Sequence, residues 1–254
     1  MSGHQPGRHF LQIPGPTNIP GTVLAALAKP TIDHRSDEFG QLGLEVLSNL
    51  QRIFKTNKPV FMFPSSATGA WEAALTNVLN PGDSILIYDT GYFASQWRHL
   101  ATNLGFNVEV IESDWHTPVN AARLSEQLIN DRNQHIKAVC IVHNETSTGV
   151  TSDVAKVRRA IDDVRHPALL LVDTVSSLAS IDYQHDEWQV DVSVGGSQKG
   201  LMLPPGLSFN AVSDRALKCH ANSQFPKSYW NWGEMLSHKK KVFLPYKPST
   251  PLNF

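Results

Sequence analysis

Strand-like and helix-like segments alternate along most of this 254-residue chain. Short apolar runs without polar alternation, such as 136–142 and 169–173, are typical of strands that are buried on both faces. Between them lie segments with apolar residues at helical spacing, such as 37–54. This alternation predicts an α/β fold with a mostly parallel sheet and helices on both faces.

The pattern also gives bounds for the individual elements. The predicted strands span 59–63, 84–88, 107–112, 136–142, 169–173, 191–194 and 207–213. The predicted helices span 23–27, 37–54, 70–79, 94–104, 120–131, 153–164 and 214–221. Ser152 is expected to cap the helix at 153–164. Residues 1–20 are rich in glycine and proline, so we expect them to lie extended over another part of the fold.

Polar clusters follow five of the predicted strands at their carboxyl ends. In open parallel sheets, ligands bind at that edge. The clusters are 66–69, 90–93, 143–147, Asp173 and 198–199. Because these strand ends meet at one edge of a parallel sheet, the sequence predicts a single binding site there.

Two of these strand ends carry an acid and a lysine, Asp173 and Lys199. Pyridoxal phosphate (PLP) needs a lysine amine to form a Schiff base and an acidic partner that keeps its ring nitrogen protonated. The pair therefore suits PLP chemistry. The alternative is structural, with Lys199 solvated in a glycine-rich turn and Asp173 capping a following helix.

The loop between the strand at 59–63 and the helix at 70–79 has the composition of an anion site. A phosphate there would be held by Ser66, by the amides of Ala67 and Thr68, and by the Thr68 hydroxyl. The loop lacks the Gly-Lys pair of a Walker motif. The alternative is a helix N-cap by Ser66 or Thr68, which needs no ligand. Phe93 stands where it could stack on a flat ring or anchor the core.

Composition excludes several other kinds of function. The formal net charge of −1 indicates no nucleic-acid or anionic-membrane partner. The chain has no run of about 18 apolar residues, so no membrane span is indicated. The N-terminus lacks the apolar core of a signal peptide. Two cysteines, Cys140 and Cys219, are too few for a disulfide framework. We therefore expect a cytoplasmic location.

Seven motifs, spread over nearly the whole chain, match one family in order and spacing. They are IPGPTNIP at 13–20, DHRSDEF at 33–39, PSSATGAWEAAL at 64–75, PGDSILI at 81–87, HNETSTGV at 143–150, LLLVDTVSSLAS at 169–180 and GGSQKGLMLPPGL at 195–207. On these motifs the chain resembles the class V PLP-dependent aminotransferases of the alanine/serine–glyoxylate type. The fold that this resemblance implies is the large domain of the PLP type I aminotransferases.

The resemblance implies roles for single residues around the cofactor ring. Lys199 would form the Schiff base and later move the proton between the substrate and the cofactor. Asp173 would pair with the ring nitrogen. Val175 would pack on one ring face and Phe93, where the family often has tryptophan, on the other. Thr146 would donate a hydrogen bond to the phenolic oxygen of the cofactor.

The resemblance also implies how the phosphate is held. Ser66, Ala67 and Thr68 would bind it with help from Gln198, although Ala67 replaces the glycine that is usual in the family. Tyr246 matches a family tyrosine that reaches the phosphate site of the partner subunit. The threonine that usually follows it is Lys247 here. A homodimer is therefore expected.

By the same resemblance, residues 1–20 form an extended N-terminal segment and residues 21–240 the PLP-binding large domain. Residues 241–254 begin the connection to a small C-terminal domain, which we expect to be absent. The arginine that binds the substrate carboxylate would lie in that domain, beyond residue 254.

The activity implied is transfer of an amino group from serine or alanine to glyoxylate, which gives glycine; the substrates are thus an amino acid and a 2-oxo acid. Three alternatives stay open: a different donor such as aspartate, a PLP-binding fragment without turnover, and an inactive domain kept as a binding or assembly module. A lyase of the cysteine desulfurase kind is disfavoured, because neither Cys140 in a strand nor Cys219 on a helix suits a mobile catalytic cysteine.

Overall fold

A computed structural model of the chain describes residues 10–238. Within this range one seven-stranded sheet forms, with the strand order β1-β7-β6-β5-β4-β2-β3. The strands are β1 (Val60–Phe63), β2 (Ser84–Asp89), β3 (Asn107–Glu112), β4 (Ile136–Val142), β5 (Leu169–Asp173), β6 (Val192–Gly196) and β7 (Ser208–Val212). The helices are α1 (Gly21–Leu27), α2 (Asp37–Phe54), α3 (Ala67–Val78), α4 (Tyr92–Asn103), α5 (Ala121–Asn130), α6 (Val154–Asp163), α7 (Asp214–Asn222) and α8 (Trp232–His238).

The sheet is mostly parallel, as the alternation predicts. Strands β2 to β6 pair parallel with their neighbours, whereas β7 pairs antiparallel with both β1 and β6. The direction of β7 follows from its connection, because a loop without a helix joins it to β6 and a parallel return needs a longer crossover. That loop, residues 197–207, carries Lys199.

Helices cover both faces of the sheet, and the central strand β5 shows why its sequence is apolar without alternation. Leu169 and Leu171 belong to a core cluster with residues of α3, α4, α7 and α8. Leu170 and Val172 belong to the cluster on the other face, with residues of α2, α5 and α6. All five residues of β5 are buried, so both faces of this strand need apolar side chains.

Three helices begin earlier than the sequence predicts. α1 begins at Gly21, α3 at Ala67 and α4 at Tyr92, rather than at 23, 70 and 94. α4 begins early because the loop after β4 caps it from a distance. The Glu145 carboxylate accepts the N–H groups of Phe93 and Ala94, and the Ser147 hydroxyl accepts that of Tyr92.

The predicted Ser152 cap of α6 is wrong. Asp153 is the N-cap residue, and its carboxylate accepts the N–H of Lys156. The Ser152 hydroxyl is buried and accepts the N–H of Val119 instead. Residues 10–20 form no helix or strand, and residues 241–254 lie outside the described range.

Candidate active site

A cavity of about 160 Å³ lies at the carboxyl ends of the strands. It is lined by Ser66, Ala67, Thr68, Trp71, Phe93, Val142, Asn144, Thr146, Asp173, Val175, Ser176, Gln198 and Lys199. Every candidate residue within 10–238 is therefore brought together in one cavity. Tyr246, the remaining candidate, lies outside the described residues.

Asp173 is the last residue of β5, and it is buried. One carboxylate oxygen, Oδ1, accepts the N–H of Val175 at 2.7 Å, and the other, Oδ2, accepts the indole N–H of Trp71 at 2.8 Å. The next helix along the chain is α7, which begins at Asp214, so Asp173 does not cap a following helix. The structural alternative for this residue is therefore wrong.

Burial raises the pKa of Asp173 from 3.8 to about 6. The two hydrogen bonds oppose this rise because they favour the charged form, and the positive charge of Lys199 opposes it more weakly. The nearby Glu145 carboxylate adds to the rise. Asp173 is thus an anion whose burial is only partly compensated by the described residues, and a cation placed against it would be stabilised.

Lys199 lies half-buried in the loop between β6 and β7. Its Nζ donates a hydrogen bond to the carbonyl of Pro14 at 2.5 Å. Burial lowers its pKa below the ordinary value of 10.5, while Asp173 acts in the opposite direction. A lowered pKa raises the fraction of neutral amine, which is the nucleophilic form.

Residues 14–17 of the N-terminal segment lie against Lys199 and Gln198. Gly15 packs against the lysine stem, and a Cβ there would lie 2.6 Å from Lys199 Cδ. The φ of Gly15 is +123°, which also favours glycine. The backbone N–H of Thr17 donates to the Gln198 carbonyl and fixes the segment further.

The N-terminus of α3 forms the opposite wall. Ser66 occupies the N-cap position, but its side chain makes no capping hydrogen bond, and Thr68 is already inside the helix. The capping alternative is therefore right about the position of Ser66, but the Ser66 hydroxyl is not used as a cap. Both residues are exposed to the cavity and solvent, and the buried Oε1 of Gln198 has no hydrogen-bond partner among the described residues. Unpaired N–H groups at a helix N-terminus and hydroxyls beside them suit an anion.

Phe93 and Val175 line the cavity and also pack, partly buried, against the core cluster that contains α3 and α4. The two readings of Phe93, as ring contact and as core anchor, are thus compatible. Its backbone position is set by Glu145, whose fully buried carboxylate accepts the Phe93 N–H. Glu145 also accepts the N–H and hydroxyl of Ser147, so one carboxylate joins the start of α4 to the loop that carries Thr146.

Sequence reasoning missed three of the lining residues, namely Trp71, Val142 and Ser176, and gave Asn144 no role of its own within the predicted cluster at 143–147. Trp71 is the most informative of them, since it contacts Asp173 directly. Its spacing offered a signal, because Trp71 lies three residues after Thr68 and therefore on the same face of a helix. Asn144 and Ser176 pair with each other, the Ser176 hydroxyl donating to the Asn144 carbonyl.

Two further properties concern residues 10–238 as a whole. No cluster of three or more histidine, cysteine or acidic side chains in this range could hold a metal ion. No helix in the described part of the chain is long and apolar enough to cross a membrane.

Comparison with known proteins supplies an independent view of the chain. The class-V aminotransferase family matches residues 9–226. A serine–glyoxylate aminotransferase of Arabidopsis thaliana is 46% identical over 97% of this chain and 62% of its own length. An L-aspartate–glyoxylate aminotransferase of Paracoccus denitrificans is 44% identical over 94% of this chain and 61% of its own length.

Solved structures agree in fold. The crystal structure of an alanine–glyoxylate aminotransferase from Nostoc sp. superimposes with a TM-score of 0.87 at 28% identity, covering 96% of this chain and 65% of that one. The chain thus spans about 62% of the length of the curated relatives that it matches. The seven-stranded α/β sheet is the large-domain fold of the PLP type I aminotransferases. This chain belongs to the class-V aminotransferase family.

Proposed function

We propose that the protein binds pyridoxal phosphate and transfers an amino group from serine or alanine to glyoxylate, which gives glycine. The observation that carries the proposal is the meeting of Asp173, Lys199 and the N-terminus of α3 in one cavity. An acid, an amine and an anion site are the three groups that this cofactor requires of a protein.

The chemistry of the cavity fits each part of PLP. The hydroxyls of Ser66 and Thr68 and the first N–H groups of α3 suit a phosphate. Asp173 suits a protonated ring nitrogen, because a cation there would compensate its buried charge. Phe93 and Val175 offer apolar surface to a flat ring, and Thr146 a hydroxyl.

When bound, PLP supplies an aldehyde that condenses with amines and a ring that withdraws electrons from the attached carbon. The residues of this chain do the rest. Lys199 would offer a nucleophilic amine to the cofactor, and its free Nζ would serve as the base for the proton of the substrate α-carbon. Asp173 would hold a proton on the ring nitrogen, because a buried carboxylate is stabilised by a cation against it.

The amino donor is proposed from the relatives. A serine–glyoxylate enzyme and an L-aspartate–glyoxylate enzyme have nearly equal identity to this chain, at 46% and 44%. Serine or alanine is our first proposal and aspartate the alternative. Because the chain spans 62% of the length of these relatives, PLP binding without turnover is the second alternative.

A homodimer is proposed as the working form. α1 buries none of its residues within the described structure. Leu24 and Leu27 on this helix are 51% and 60% exposed, and Phe10 and Ile13 of the N-terminal segment are 72% and 54% exposed. A second copy that covers this surface would bury these side chains. A cytoplasmic location is proposed because Cys140 and Cys219 are both free thiols.

The test is a visible absorption spectrum of the purified protein with PLP, recorded before and after serine, alanine or aspartate is added separately. The proposal predicts a visible band from covalently held cofactor, which one donor bleaches. A band that no donor alters would support binding without turnover, and folded protein without a band would refute the proposal.

The same spectral test with a lysine variant and a matched control checks the assignment of Lys199. Lys199→Ala should abolish the band. Lys227→Ala should not, although Lys227 is also a partly buried lysine whose pKa is lowered by burial, because it does not line the cavity. Equal loss in both variants would contradict the assignment of Lys199.

A further inference from the structure

The indole of Trp71 donates a hydrogen bond to Asp173 inside the cavity, and the proposed function gives this bond no role. Trp71 lies on the first turns of α3 and its side chain is 5% exposed. Its Nε1 donates to Asp173 Oδ2 at 2.8 Å, across 102 residues of sequence, and both side chains line the same cavity. The hydrogen bond is therefore made at the site itself.

This bond orients the Asp173 carboxylate and still leaves it able to accept further hydrogen bonds. Trp71 donates to Oδ2 and the Val175 N–H donates to Oδ1, so each oxygen has one donor from the described residues. A carboxylate oxygen can accept two hydrogen bonds, so each retains room for a further donor. Two donors on different oxygens also fix the rotation of the carboxylate plane, which a single donor would leave free.

The indole is itself held in place. It stacks on Trp97, with ring centroids 5.7 Å apart and an interplanar angle of 12°, and Trp97 is fully buried. Burial alone does not explain the bond to Asp173. The indole N–H groups of Trp97 and Trp232, in the same core cluster, have no hydrogen-bond partner within residues 10–238.

We propose that Trp71 is a positioning residue, which holds the Asp173 carboxylate through its indole N–H in the orientation that receives the ring nitrogen of the bound cofactor. This inference rests on the proposed function. It assigns Trp71 no contact with the reacting atoms, because its effect passes through Asp173.

Two variants distinguish the effect of the Trp71–Asp173 hydrogen bond from the effect of the Trp71–Trp97 ring stacking. Trp71→Phe keeps an aromatic ring against Trp97 and removes the N–H that reaches Asp173. Trp97→Phe removes an indole N–H from the same stack, but one without a partner among the described residues. Both variants remove similar volume from the same part of the core, so general damage to packing should affect them alike.

The first readout is the ¹⁵N resonance of PLP labelled at the ring nitrogen and bound to each protein. Loss of a donor makes the carboxylate more basic, and the shared proton then moves from the ring nitrogen toward Asp173. We expect the resonance to shift toward that of an unprotonated ring in Trp71→Phe and to stay at the wild-type position in Trp97→Phe. We also expect PLP to bind about tenfold more weakly to Trp71→Phe.

The second readout needs no cofactor, so it applies even if Trp71→Phe binds PLP too weakly. The carboxyl of Asp173 is titrated by ¹³C resonance in the cofactor-free proteins. Its midpoint should rise in Trp71→Phe relative to both Trp97→Phe and wild type.

Equal ¹⁵N positions and equal midpoints in the two variants would overturn the inference while leaving the proposed function intact. Wild-type protein that takes up no PLP would overturn the proposed function and this inference with it.

Discussion

Replacing Asp173 with asparagine should change how the stability of the cofactor-free protein depends on pH. In the wild type the pKa of this buried carboxyl is raised from 3.8 to about 6. The folded state therefore holds a proton that the unfolded state has released between these two pH values. Asp173 is best tolerated below about pH 4, and its cost to stability grows until pH 6 is passed.

The size of the effect follows from the shift. A difference of about 2 pKa units corresponds to about 3 kcal/mol between the two protonation states. Because part of this difference has already developed at pH 4, wild type should lose about 2–3 kcal/mol relative to Asp173→Asn between pH 4 and pH 7. The pH-independent part of the substitution, including the exchange of an oxygen for an amide nitrogen near Trp71, cancels in this difference.

The assay is urea unfolding of both cofactor-free proteins at intervals from pH 4 to pH 7.5. Asp153→Asn is a suitable control, because asparagine can still cap α6 while the pKa of Asp153 is lowered rather than raised. Its difference from wild type should change with pH in the opposite direction. A flat difference between wild type and Asp173→Asn across this range would refute the reasoning.

Three further predictions concern other parts of the site and the core. Glu145→Gln should cost about 2–4 kcal/mol in urea unfolding, because the amide nitrogen would face backbone donors that the buried carboxylate now accepts; the exposed Glu109→Gln is its control, and equal values would contradict the role of Glu145. Gly15→Ala should weaken PLP uptake in a spectral titration, since its Cβ would collide with the Lys199 stem, whereas Gly21→Ala has open space and should not; identical uptake would argue against the packing of this segment. Leu171→Ala should cost about 2–5 kcal/mol, because the side chain is fully buried in β5, and a loss below 1 kcal/mol would contradict that burial.

The regular elements of the sheet could be predicted from sequence where local pattern decides the structure. The bounds of β3, β4, β5 and α2 agree with the predicted ones, because their apolar runs end at polar residues or turns. The early start of α4 could not be predicted, since its cap is a carboxylate more than 50 residues away. The direction of β7 likewise depends on the loop that precedes it.

The candidate site was predictable as a set, because parallel strands bring their carboxyl ends together whatever lies between them. The spacing of Trp71 from Thr68 places it on the site face of the helix, but its bond to Asp173 could not be predicted, since a tryptophan in an apolar helix is typical of a core and its acceptor lies 102 residues away. The roles that the resemblance implies for the site residues, from Lys199 and Asp173 to Thr146, Gln198 and Tyr246, all stay predictions.

The central claim is that Lys199 is the residue that holds the cofactor covalently. The most direct measurement is borohydride reduction of the protein with PLP, followed by mass spectrometry of its peptides. We expect one pyridoxyl group on the peptide that contains Lys199, and none on that peptide in Lys199→Ala. A label on another lysine, with Lys199 unmodified, would contradict the account.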